Sequence, residues 1–181
     1  MMRRAQKVRI SRPAWRGCGR CLLLGILLTG VVQGQEWTRF RGPNGQGISV
    51  AQTRFGPELT AEGMPVKWTE KDYNWKVKLP GGGHGSPVIW KDKVFVTCED
   101  PQSPGGMLLA LDVSDGHTLW STRYKLTAYR HHDDNSLATS TPAVDADRIY
   151  VLWQTSGEVI LAALDHDGRP IWQRDLPGIY S

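Results

Sequence analysis

Cysteine is scarce in this chain. Three occur in 181 residues, and two of them, Cys18 and Cys21, fall in a basic amino-terminal stretch. Cys98 is alone in everything that follows, which excludes an intrachain disulfide framework there and leaves stability to the core. Long apolar runs are also missing. The longest, Cys21–Val32, is broken only by Gly and Thr and falls short of the roughly 20 residues a membrane-spanning helix requires. No segment sustains a helical hydrophobic period, so a helical bundle is excluded. Gly81-Gly82-Gly83-His84-Gly85 has no Lys-Ser/Thr after it and opens no helix. A phosphate cradle is therefore excluded, and a linker between strands is the better account.

The charge needs a similar subtraction. Residues 1–20 hold seven Lys or Arg and no acid, and the apolar stretch follows them directly. A basic head, a short apolar core and small residues at Val32 and Gly34 describe a secretory signal over residues 1–34; an uncleaved anchor is the alternative. Without it the 22 basic residues fall to 15 against 18 acids, and the formal charge changes from +4 to −3. The basic excess is a targeting feature and implies no nucleic-acid partner. The expected location is periplasmic or extracellular, with no membrane span after cleavage. Residues 35–65, rich in Gly, Pro and polar side chains, read as an irregular lead-in anchored by Trp37 and Phe40. Arg39, Arg41 and Asn44 could form an anion site in its Gly-rich turn, or simply be solvated.

What the chain has in abundance is repetition. Ala110–Trp120 reads A-L-D-V-S-D-G-H-T-L-W, and Ala163–Trp172 returns it one residue shorter as A-L-D-H-D-G-R-P-I-W. Ala-x-Asp ends a strand, the Asp carboxylate suits the start of a turn, and Gly116 or Gly168 supplies positive φ. A Trp then opens the next strand. Ser86-Pro87-Val88 returns as Thr141-Pro142-Ala143, and Val94-Phe95-Val96 as Ile149-Tyr150-Val151, both 55 residues later. Trp75–Gly81 is echoed by Trp172–Gly178 as a third, partial copy. Val66–Leu79, with Trp68 and Trp75 around Glu70-Lys71-Asp72, reads as a hairpin. Several short strands per period of roughly 40–50 residues predict an all-β array of four-stranded antiparallel sheets over 66–181.

Ala110, Asp112, Gly116 and Trp120 match the signature A-x-D-x-x-x-G-x-x-x-W, and the chain resembles the pyrroloquinoline quinone (PQQ)-like repeat β-propellers. Ala163, Asp165, Gly168 and Trp172 match it with one turn residue deleted. The resemblance implies β-propeller blades in which each Trp docks onto the neighbouring blade. The lead-in Glu36–Gly45 is similar to the start of exported PQQ-repeat proteins of planctomycete-type bacteria. A closed propeller takes about four to eight blades, and 66–181 holds two to three. The expectation is an amino-terminal portion of a longer protein, with closure by several copies as the alternative.

One stretch has the residue types of chemistry, Tyr129-Arg130-His131-His132-Asp133-Asp134-Asn135-Ser136. Imidazole and carboxylate together suit Zn²⁺ or another divalent ion, but adjacent residues rarely converge on one centre, so no metal site is assigned. The segment precedes the strand beginning Thr141-Pro142, as His84 precedes Ser86-Pro87. Ligands can bind where such connections reach the central rim of a propeller. His84, His131, His132, Asp133 and Asn135 are the candidate ligand-site residues, against the alternative of a hydrogen-bonded loop between blades.

Two functions follow. One is a non-catalytic exported module that binds or scaffolds a protein, carbohydrate or other ligand. The other, implied only by the resemblance, is part of a PQQ-dependent dehydrogenase of alcohols or sugars. Such enzymes carry adjacent cysteines, Ca²⁺ ligands and a catalytic Asp, and no segment here matches them. No cofactor is read from the residues, and the binding module is the favoured reading.

Overall fold

Ile149–Gln154 is rich in β-branched and aromatic residues, the types that favour an extended strand, whose successive side chains point to opposite faces. In the computed structural model this segment is buried at Ile149, Val151 and Trp153 and half-buried at the residues between. The structure describes residues 36–47, 69–128, 132 and 135–177. All of them belong to one unit, Gln33–Ser181. The proposed signal, residues 1–34, lies outside the described residues, as do Trp68, His131 and Asp133. Among the described residues no helix is long and apolar enough to cross a membrane.

Among the described residues, eight strands form two sheets. The first contains β1 (Val88–Trp90), β2 (Lys93–Glu99), β3 (Gly105–Asp112) and β4 (Thr118–Lys125). The second contains β5 (Ala143–Val144), β6 (Ile149–Gln154), β7 (Glu158–Leu164) and β8 (Pro170–Pro177). In each, sequence order is spatial order and every neighbour is antiparallel. Each sheet is thus an up-and-down meander built from short turns. The chain is all-β, and two blades of an incomplete propeller account for the described strands.

The two sheets share one core. Phe95, Leu108 and Ala110 from the first meet Ile149, Val151, Trp153, Ile160, Ala162 and Leu164 from the second. Burying each large apolar side chain contributes about 1.5–3 kcal/mol, so this interface is the main bond between the blades. The opposite face of the first sheet carries a second cluster of Val94, Val96, Cys98, Met107, Leu109 and Leu111. Trp75 and Leu79 from the segment upstream lie against it. Cys98 is fully buried there, and burial pushes its thiol pKa up. It packs as a small hydrophobe and is no nucleophile.

Two readings of the upstream segment change. Residues 70–72 form a single turn of 3-10 helix and no strand lies in 73–79, so the described part of Val66–Leu79 is not a hairpin. Trp75 is held instead by the first sheet, onto which its ring folds. Of the two lead-in aromatics, Phe40 is 59% exposed under the Arg41 guanidinium. Trp37 is the one that docks, and its backbone exchanges two hydrogen bonds with Ile89 in β1. Thr38 next to it accepts from Val144 N–H of β5 at 2.8 Å. Residues 37–38 therefore strap the inner edges of both sheets together.

Candidate functional site

The junction between the blades is where the repeat's residues and the candidate histidines both act. In each motif the Ala is fully buried and stands across from the Trp, Ala110 from Trp120 and Ala163 from Trp172. A register shift follows that Ala in both sheets, and a bulge there turns the strand into its hairpin. A larger side chain would meet the indole, which is why the position is alanine.

The hairpin turns differ by the deleted residue. Gly116 N–H bonds to Asp112 O, and Gly168 N–H to Asp165 O, one residue tighter. Both glycines have positive φ, +77° and +81°. Each lies under the indole of the preceding repeat. A Cβ on Gly116 would stand 2.6 Å from the Trp75 ring, and one on Gly168 2.7 Å from the Trp120 ring. The indole N–H groups complete the contact. Trp75 Nε1 donates to Val113 O at 2.8 Å, and Trp120 Nε1 to His166 O at 3.1 Å. Tryptophan of one repeat thus sits on the turn of the next.

Carboxylates hold these turns open for the ring. Asp112 accepts from the hydroxyl and N–H of Ser114, which lowers its pKa. Asp165 accepts from Arg169 N–H and Asp167 N–H, with the same effect. A carboxyl whose native pKa is depressed stabilises the fold above its unfolded value, and that contribution disappears as pH falls through the native value. The turns should therefore hold down to the ordinary 3.8 and loosen below it. The check is tryptophan emission against pH, which should stay flat until about pH 4 and then shift to the red. A shift centred near pH 6 would contradict this account.

Asp115 accepts from His117 N–H and its imidazole, which lowers the Asp115 pKa and raises that of His117. Asp112, Asp115 and His117 bring potential ligand atoms within 4.8 Å of one another, a grouping that the sequence spacing did not single out. Asp112 and Asp115 are already committed to turn hydrogen bonds, so the cluster is accounted for structurally.

Of the candidate ligand residues, His84, His132 and Asn135 are described, and His131 and Asp133 lie outside the described residues. His84 Nδ1 is 3.0 Å from Ser136 Oγ, while His84 N–H and Gly85 N–H both donate to Ala138 O. Asn135 Oδ1 accepts from Ser136 N–H at 2.8 Å and from the Thr139 hydroxyl. Asn135 N–H donates to His132 O. Across the junction Ser86 N–H donates to Thr141 Oγ1, Thr97 Oγ1 to Ser140 O, and Leu137 N–H to Glu99 Oε1. The glycines before Ser86 allow this closeness. A Cβ on Gly81 would stand 2.1 Å from Glu99 O, and one on Gly85 2.6 Å from Thr97 Oγ1. The loops entering β1 and β5 are thus stitched side by side.

Open space lies elsewhere. A cleft of about 320 Å³ runs between the outer strands, lined by Thr122, Arg123, Tyr124, Lys125, Trp172 and Gln173 among others. Burial pushes the Tyr124 pKa up to about 12, so its phenol stays neutral and can donate or accept. Sequence reasoning missed this cleft because its walls come from strands about 50 residues apart, and neither strand carries a recognisable ligand motif.

The profile of the PQQ_2 family, described as outer membrane protein assembly factor BamB, matches residues 58–178. Among solved structures the chain is similar to BamB from Moraxella catarrhalis, with 24% identity and a TM-score of 0.40. That similarity covers 56% of this chain and 27% of the other. No curated protein matches.

Proposed function

The chain belongs to the PQQ_2 repeat family, and from that premise we propose that it is an exported, non-catalytic module that binds or scaffolds a protein partner. The observation that carries this reading is how the junction's polar groups are used. His84, Ser136, Asn135, Thr97, Thr139 and Thr141 are engaged with one another or with backbone. A catalytic or quinone-binding site needs convergent polar groups aimed into a cavity. The inner edge, where a channel ligand would lie, has its β1 and β5 backbone bonded to Trp37 and Thr38. The outer cleft, with Arg123, Tyr124 and Trp172 in its lining, has the residue types enriched at protein interfaces.

Two measurements test the proposal. A photo-crosslinking residue at Arg123 or Gln173, in the native cells, should give one discrete protein adduct, and the same residue at Gln46 should give none. With added PQQ and Ca²⁺, the purified protein should not reduce a redox dye with alcohols or sugars. Substrate-dependent dye reduction would overturn the reading in favour of a quinoprotein dehydrogenase.

A further inference from the structure

β4 is the last strand of the first sheet, and among the described residues no backbone pairs with its outer edge. Its neighbours fix which backbone groups face outward. Gly105 O accepts from Asp100 N–H on the β2 side, so Gly105 and the Lys125 opposite it in β4 form a non-hydrogen-bonded pair. Leu126 N–H, one residue on, donates to Pro104 O. By alternation Tyr124 bonds to β3, and the N–H and C=O groups of Arg123 and Lys125 point away from the sheet.

That edge opens into the outer cleft. Successive side chains of a strand point to opposite faces, yet Thr122, Arg123, Tyr124 and Lys125 all line the same space. The feature these four residues share is their backbone edge. The sheets touch at the Gly168 turn, where Trp120 Nε1 and Thr122 Oγ1 donate to His166 O and Gly168 O. Beyond it the cleft opens, with Ile160, Ala162 and Gln173 of the second sheet as its other wall. β8 ends the second sheet in the same way, but no third sheet among the described residues walls its edge.

Side chains select what can pair there. Arg123 is engaged with Gln102 Oε1 and Asp100. Among the described residues no carboxylate pairs with Lys125. Basic side chains on an edge repel a like-charged strand and favour an acidic one. A second copy of β4 is a poor match for that reason, since it sets the same two basic residues against each other.

We propose that the cleft takes an extended segment of a partner protein, added to the free edge of β4 as a further strand, with apolar side chains against Ile160 and Ala162 and acidic ones beside Lys125. Main-chain hydrogen bonds to Arg123 and Lys125 supply affinity, and the two walls read alternate side chains. This rests on the reading of the cleft as a protein-binding site given above.

The test uses the full chain in its native cells, with the crosslinking residue at Gln173. Arg123→Pro and Lys125→Pro each remove an outward N–H and none that bonds to β3, a placement an edge strand tolerates. Each should lower the adduct yield about tenfold, because a partner carbonyl is left unpaired. Arg123→Ala keeps its N–H and should lose far less than Arg123→Pro. Lys125→Glu keeps its N–H, reverses the charge, and should lose most of the adduct. Mass spectrometry of the adduct should map the bond to a segment that alternates apolar and acidic residues. If the Pro variants lose their strand circular dichroism, amide exchange in the unsubstituted adduct replaces them. Arg123 and Lys125 N–H should then exchange more slowly than in the free chain. An adduct that persists in folded Pro variants, unchanged exchange at both amides, or a bond mapped to a basic segment overturns the inference alone. No adduct from the unsubstituted chain overturns the cleft reading and the inference with it.

Discussion

Gly168→Ala should destabilise the protein by about 2–4 kcal/mol, although the side chain it adds is one methyl. Two costs combine. At φ +81° an L-residue incurs the left-handed penalty of roughly 1–2 kcal/mol. The methyl would also stand 2.7 Å from the Trp120 ring, and overpacking of this kind costs typically 1–3 kcal/mol. Neither cost is easily relieved. The indole is tied to His166 O, and Thr122 Oγ1 donates to Gly168 O from the other blade. Gly157→Ala is the comparison, since a methyl there meets nothing within 4 Å and should change stability by less than about 0.5 kcal/mol. Urea unfolding followed by tryptophan emission measures both. Equal midpoints for the two variants would mean that the stack on Gly168 does not hold the blades together.

Trp153→Ala should cost more, about 3–5 kcal/mol, in the range for large-to-small changes in a core. Trp153 is 1% exposed, sits in the shared core and stacks with Tyr124 at 5.4 Å. Its ring occupies the space that Gly106 leaves open, where a Cβ would stand 2.0 Å from the indole. Gly106→Ala should therefore destabilise through the same contact, by forcing the ring out of its slot. Trp153→Phe should be milder than Trp153→Ala, because most of the ring stays and the cavity left behind is smaller. The indole N–H has no hydrogen-bond partner among the described residues, so its removal strands no polar group. Thermal unfolding of the three variants gives the order. A Phe variant as unstable as the Ala variant would show that the N–H is satisfied by a partner.

The sequence made the blades readable because their signals are local. Asp112 and Gly116 fix one turn, and Asp165 and Gly168 fix the other, within five residues each. The period of 55 then aligns Val94-Phe95-Val96 with Ile149-Tyr150-Val151 without knowledge of contacts. The misreadings are non-local. Trp75-Lys76-Val77 has the residues of a strand, but strand structure needs a neighbour to pair with, and none of the described strands pairs with it. Phe40 and Trp37 look alike as apolar anchors, yet only Trp37 reaches an unpaired backbone edge, at Ile89. Gly106 gave no sign of its role, because the ring it accommodates is 47 residues away. The candidate site was legible in part. The proximity of His84 to the Asn135–Ser136 segment follows from their matching positions before Ser86-Pro87 and Thr141-Pro142. Their use as stitching between loops depends on distances that spacing does not encode.

The strap of Trp37 and Thr38 also sets an order of events during synthesis. These residues are among the first of the described body to emerge, yet one partner is Ile89 and the other is Val144, more than 100 residues downstream. Contacts of such separation form late, after the local hairpins have closed. The beginning of the body therefore waits, unpaired, while both sheets assemble, and it is the last piece to be fastened. A chain stalled before β5 emerges would hold its strap by the β1 half alone, with the second attachment still to come.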